Sequence, residues 1–246
     1  MHLAKPVLHF LGAAIIVLGL PFSNTCEGQT LPPPDSPIIT IPAPAPAVGS
    51  DDLQFQYREI QLLEQQGRYD EALAKANAAV QADPKNVTPY VIRGHIYSEM
   101  SQLGKADADF QTILQIDPAN FPAQFNRCEI KLAKKDYAGA REGFFSLEKN
   151  PDWGDLASYK VFVCDLFAGH ELASRSELET FNKAGTHASY YYANATWSFY
   201  RNQPEKAQSW INSAEHIYPR KTIYFYSATL VDAGYIKLPP PDVKVP

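Results

Sequence analysis

This chain is short of the residues from which most chemistry is built. It has three cysteines, two methionines and six histidines in 246 residues. No Gly-rich phosphate loop, no Gly-x-Ser-x-Gly elbow and no paired-histidine metal motif occurs, so the usual signs of nucleotide, serine-hydrolase and zinc chemistry are missing. Positive charge is not in excess: the formal net charge is −5, which leaves no basic footprint for nucleic acid. Neither terminus carries a run of Lys or Arg that would dock electrostatically on anionic lipid. The longest apolar stretch, Val7 to Leu20, is short for a membrane span. No cofactor and no metal is expected.

What the sequence has in quantity is proline, 20 residues, and small apolar residues at a fixed spacing. Punctuating prolines stand at Pro84, Pro118, Pro151 and Pro219, separated by 34, 33 and 68 residues, the last being about two further units. Between them recurs an Ala-x-x-x-Phe pattern or its apolar equivalent. The fullest copy reads Tyr90, Arg93, Gly94, Tyr97, then Ala106, Phe110 and Pro118. A period near 34 with these residue types marks an array of helix-turn-helix units.

Residues 1–28 read as an export signal, with Lys5 ahead of the apolar stretch and small or polar residues Ser23, Asn24, Thr25 and Gly28 after it. An uncleaved anchor is the alternative. Cys26 adds a third: bacterial lipoproteins carry a cysteine just after the apolar stretch that is acylated after cleavage, although the Leu three residues before it is missing here. Residues 29–50 hold seven prolines and almost no charge, which suits either an extended polyproline spacer or a disordered leader.

The repeats are expected over 51–236. Asp51 or Asp52 caps the first helix. Repeat one spans Leu53 to Asn86, turning at Gly67-Arg68-Tyr69-Asp70. Repeat two spans Val87 to Asn120, with Gly94 letting a neighbouring helix approach. Repeat three runs from Phe121 to Trp153, with Cys128 in place of that glycine. Repeat four, Gly154 to His187, keeps an apolar first helix but has lost most marker residues in its second. Repeat five, Ala188 to Arg220, turns at Asn202-Gln203-Pro204-Glu205. Thr222 to Tyr235 reads as a capping helix that is apolar on more than one side. Either the Pro-rich tail 237–246 folds over it, or a partner does.

These residues resemble the tetratricopeptide repeat family over roughly Leu53 to Arg220. The resemblance implies an all-α, right-handed solenoid of about five repeats. It also implies a concave groove, lined by the first helix of each pair, that binds an extended peptide or a helix. Carried over by spacing, Tyr57, Val91, Phe125, Ser158 and Tyr192 form one groove row. Gln61, His95, Glu129, Phe162 and Thr196 form a second. Glu64, Ser98, Leu132, Asp165 and Phe199 form a third. Such an aromatic groove suits an apolar or Pro-containing peptide, while each ring could equally turn into the core. Family members that clamp a terminal carboxylate use Lys, Arg and Asn. The matching places here hold Tyr57, Gln61, Pro122 and Asn126, of which only Asn126 fits.

The resulting expectation is a non-catalytic scaffold of a bacterial cell envelope, periplasmic or secreted, with a protein or peptide partner and no nucleic acid. Membrane attachment would come only through the N-terminus. A lipoprotein assisting outer-membrane or pilus assembly is the alternative. An enzyme with a groove site at His95 and Glu99, four apart on one helix face, is the alternative of another class. Cys128 and Cys164, on first helices of neighbouring repeats, read as packing positions or as a disulfide.

Overall fold

The computed structural model describes residues 57–60, 62–64, 66–184 and 187–237. The export signal with Cys26, the Pro-rich 29–50 segment, Gln61 and most of the tail lie outside the described residues. The described chain is all helix and turn. Helix α1 comprises 57–60 and 62–64. It is followed by α2 (Tyr69–Ala82), α3 (Val87–Glu99), α4 (Leu103–Ile116), α5 (Phe121–Ala133) and α6 (Tyr137–Leu147). Then come α7 (Gly154–Ala168), α8 (Glu171–Ala184), α9 (Ala188–Tyr200), α10 (Pro204–Ile217) and α11 (Arg220–Asp232). These are the expected helix pairs. Helix α8, faint in the sequence, is as long as α2 and α4.

One turn geometry recurs throughout. Gly67, Ser101, Lys135, Gly169 and Asn202 all have φ between 57° and 84°, and they follow one another at 34, 34, 34 and 33 residues. At each, the next residue's N–H reaches back five positions: Arg68 to Leu63 O, Gln102 to Tyr97 O, Asp136 to Lys131 O, His170 to Asp165 O and Gln203 to Ser198 O. This is the Schellman ending, which satisfies the last carbonyls of a helix while reversing the chain. Only two of the five residues are glycine. Several helix starts are fixed by short acceptors. Asn86, Asn120 and Asp136 each cap the following helix, accepting from Thr88 N at 3.0 Å, Ala123 N at 3.1 Å and Gly139 N at 3.0 Å.

The chain divides into two compact units that part between Gln124 and Phe125, inside α5. In the first, Ile60, Leu63, Ala72, Ala76, Ile92 and Ile96 form a core. A Cβ on Gly94 would stand 3.0 Å from the Phe110 ring, so the close approach of α3 and α4 needs glycine there. The Arg93 guanidinium grips Asp109 through two hydrogen bonds, 2.6 and 2.9 Å, and Asn77 at 2.8 Å, tying α2, α3 and α4 together. In the second unit the larger Cys128 is accommodated by Gly143, whose Cβ would meet the Cys128 sulfur. Here Phe125, Phe144, Tyr159, Phe162, Leu166, Tyr192 and Leu230 are fully buried. Among the described residues no helix is long and apolar enough to cross a membrane.

Candidate functional site

In the first unit the first-helix face of α1 and α3 carries Tyr57, Glu64, Val91, His95 and Glu99, all half-buried. His95 Nδ1 contacts the Glu64 carboxylate, and its Nε2 lies 3.8 Å from Glu99. Burial works against a charge on His95, but Glu64 and Glu99 outweigh it and raise its pKa. Burial likewise pushes Glu99 up, against the pull of His95. The result is a polar face of acidic character with a protonatable centre, bordered by apolar Val91. The expected pair of His95 and Glu99 is therefore a trio with Glu64. Among the described residues no group of three His, Cys, Asp or Glu is arranged to hold a metal ion.

The second unit differs from the sequence reading. Phe125, Phe162, Tyr192 and Thr196 have no exposed surface, and Glu129 is buried as well. Their assignment to an open groove wall is corrected, because other side chains cover them. Phe125 packs edge-on against Phe144 at 5.0 Å and lies 6.3 Å from Trp153. Phe162 meets the edge of Phe181 at 6.0 Å. Tyr192 is stacked by Tyr226 of α11 at 5.4 Å. Glu129 forms a 2.8 Å ion pair with Lys160, which is itself only 1% exposed. Phe199, half-buried, is stacked flat on Tyr235 at 4.9 Å.

Helix α11 covers Tyr192. Its Tyr226 ring lies against both Tyr192 and Tyr159, the latter at 5.2 Å, and Phe225 meets Trp153 at 5.4 Å. Tyr226 donates its hydroxyl to Asp155 Oδ2 at 2.6 Å, and Tyr192 shares a 2.7 Å hydrogen bond with Ser227. The apolar residues that seemed excessive for a cap are thus divided among several neighbours. Beneath α11, Tyr159 and Thr196 share a hydrogen bond of 2.8 Å, and the Ser189 hydroxyl donates to Asp155 at 2.5 Å, joining α7 to α9. Burial raises the hydroxyl pKa of Tyr159, Tyr226 and Tyr192, the last to about 12. Asp155, Ser189 and Tyr226 were not singled out from the sequence. Their trace there is the set of hydroxyl residues Ser189, Thr196, Ser198, Ser227 and Thr229 at buried positions of otherwise apolar helices.

A further polar cluster joins α6, α7 and α8. Arg141 Nε binds Asp165 at 2.6 Å and its Nη2 lies 3.6 Å from Glu177, while His170 Nδ1 is 2.9 Å from Asp165. Burial and then Asp165 push Glu177 up to about 7. Cys128 and Cys164 are both free thiols, and burial raises Cys128 to about 12 and Cys164 higher still. Neither is a ready nucleophile, since thiolate is the reactive form.

Residues 87–120 match the tetratricopeptide repeat family model. A tetratricopeptide repeat protein from Parabacteroides merdae ATCC 43184 superposes with a TM-score of 0.55 at 17% identity, over 74% of this chain and 71% of that one. PilW, described as a widely conserved type IV pilus biogenesis factor, superposes with a TM-score of 0.53 at 16% identity, over 77% of this chain and 90% of its own. At these identities the likeness is one of fold, a tetratricopeptide-type α-solenoid. No curated protein matches the chain in sequence.

Proposed function

We propose that the protein is a non-catalytic interaction scaffold of a bacterial cell envelope, and that it holds a protein segment on the first-helix face of α1 and α3. The observation that carries this reading is the exposure of that face within the best-formed repeat. Val91, His95 and Glu99 remain partly open to solvent while Ile92 and Ile96, on the other side of the same helix, are buried. Helix α3 buries Pro89, Tyr90, Ile92, Gly94, Ile96 and Ser98, and the strip of Val91, His95 and Glu99 is what it leaves for a ligand. Glu64 and Glu99 around His95 favour a segment bearing a positive charge beside an apolar anchor.

Placement in the envelope rests on the export signal read in residues 1–28 and the proline spacer of 29–50. The likeness to PilW over most of that protein's length supports a second reading, an anchored helper of pilus or outer-membrane assembly, with Cys26 acylated. The enzyme alternative at His95 and Glu99 is weaker: among the described residues the trio sits beside no activated nucleophile, and the two buried thiols are elsewhere.

A photo-crosslinking residue at Val91 tests the scaffold reading in living cells, with Ala108 on the exposed face of α4 as control. A discrete adduct at position 91 and none at 108 is expected; adducts at neither position end the reading. Fractionation of wild type and Cys26→Ser separates the two envelope forms. The anchored form pellets with membranes until detergent is added and is freed by the substitution.

A further inference from the structure

Resting on that scaffold reading, we infer that His95 is a proton-operated gate on the α1–α3 face. Its imidazolium and a positive charge of the partner compete for Glu64 and Glu99. The face therefore captures a Lys- or Arg-bearing segment when His95 is neutral and releases it when His95 is protonated. The placement of the ring carries this. His95 stands between two carboxylates from two helices, its Nδ1 in contact with Glu64 of α1 and its Nε2 3.8 Å from Glu99 of α3. Each ring nitrogen looks at one acid, and only the protonated ring carries an N–H on both. The imidazolium is thus a built-in ligand, offering the acids the same charge and donors that a basic side chain would bring. A third of the His95 side chain is open to solvent, so protons and an incoming cation both reach it.

The groups that bear on His95 come from each neighbouring helix. Helix α1 supplies Glu64 and α3 itself supplies Glu99. Helix α2 supplies the Tyr69 phenol, whose pKa is raised by burial and then by Glu99 and Glu64, so it stays neutral. On α2, Lys75 is paired with Glu59 at 2.9 Å. On α4, Asp109 is bound by Arg93 at 2.6 Å, and Lys105 lies over the Tyr97 ring at 5.2 Å. Burial opposes charge on His95, and Glu64 and Glu99 more than offset it, which sets the gate above the ordinary histidine range. Glu99 works in the same direction. Burial raises its pKa, with Glu64 adding to the rise and His95 opposing it, so acidification also removes negative charge from the face. Both changes loosen the hold on a cation as pH falls. By reciprocity, a cation that binds must lower the His95 pKa and expel its proton. Val91, one turn before His95, does not titrate, so the apolar part of the segment is held alike at every pH.

The test uses the full chain with isotope-labelled histidine and two probes. One is an acetylated leucine–lysine–leucine amide, the other its counterpart with norleucine in place of lysine. The His95 ring is titrated by NMR at constant ionic strength, alone and with each peptide at about 10 mM. The lysine peptide is expected to lower the His95 pKa, corresponding to binding about threefold or more tighter to the neutral ring. The norleucine peptide should leave the pKa where it was. An unmoved or raised pKa with the lysine peptide overturns the inference, and so does an equal fall with norleucine. A second measurement reads the gate on the natural partner, through the Val91 crosslink in envelope extract. The adduct is expected to be about threefold or more stronger at about pH 8 than at about pH 6, and His95→Gln should remove most of that ratio. A ratio that His95→Gln leaves unchanged overturns the inference. The peptide titration contains no cellular partner, so an unmoved pKa beside a clear Val91 adduct sinks the gate and spares the scaffold. Adducts absent at both pH values sink the scaffold instead.

Discussion

The hydroxyl of Tyr226 lies 2.6 Å from Asp155 Oδ2, joining α11 to the first turn of α7 across 71 residues of sequence. Burial and the adjacent carboxylate both raise the phenol's pKa, so it remains a donor at any physiological pH. Tyr226→Phe keeps the ring stacked on Tyr192 and removes only this bond. It should cost about 1.5–3 kcal/mol, the range for a hydrogen bond to a charged acceptor, read as a lower urea midpoint. Asp155→Ala should cost more than Tyr226→Phe, because Ser189 loses its acceptor as well.

The recurrent left-handed turn predicts opposite effects at neighbouring repeats. Lys135 has φ 62° and carries a Cβ there, whereas Gly169 has φ 84° and none. Lys135→Gly should stabilise by about 0.5–1 kcal/mol, since the left-handed strain exceeds the entropy that glycine loses on folding. Gly169→Ala should destabilise by about 1 kcal/mol. Thermal midpoints of the two variants should move apart from wild type in opposite directions.

Glu177 predicts a pH dependence. Its pKa is raised from 4.5 to about 7, by burial first and then by Asp165. Between those values the folded chain holds a proton that the unfolded chain releases, so stability falls as pH rises through that window. Arg141 opposes the rise, and Glu148 adds to it. Glu177→Gln should remove about 1–2 kcal/mol of the loss seen between pH 5 and 8, given about 1.4 kcal/mol per pKa unit and partial screening. His95, whose pKa is also raised, contributes stability at low pH that is lost as pH passes its folded value. The difference between wild type and Glu177→Gln is therefore the quantity to measure.

Gly143 and Cys128 predict a coupled pair. A Cβ on Gly143 would meet the Cys128 sulfur, so Gly143→Ala should cost about 1–3 kcal/mol by overpacking. Cys128→Ala removes the sulfur and leaves its Cβ at 3.6 Å, an ordinary contact. The double variant should be more stable than the sum of the singles, a coupling that a double-mutant cycle reads directly.

The helices and their boundaries were legible because the constraints on them are local. Asp117-Pro118, Asn86 and Gly94 each act within one repeat or on the helix next along, and the sequence carries them at fixed spacing. The turn conformation at Ser101 and Lys135 was not legible: the Schellman geometry imposes it on residues that do not advertise it. The fate of Phe125, Phe162, Tyr192 and Thr196 was not legible either. Periodicity tells which side of a helix a residue occupies, but not whether another helix comes to rest on that side. Tyr226 reaches Asp155 from two units away, and no pattern of one-unit length contains that contact.

Lys160 is 1% exposed, whereas Lys134 and Lys135 stand exposed on the loop between α5 and α6. Trypsin needs a flexible stretch around the scissile bond, and the helix interior around Lys160 offers none until α7 comes apart. A cut after Lys160 therefore times the opening of the core, while a nick after Lys135 times only the protease's encounter with the loop. The chain carries a fast and a slow clock for its own unfolding, legible on one gel without any label.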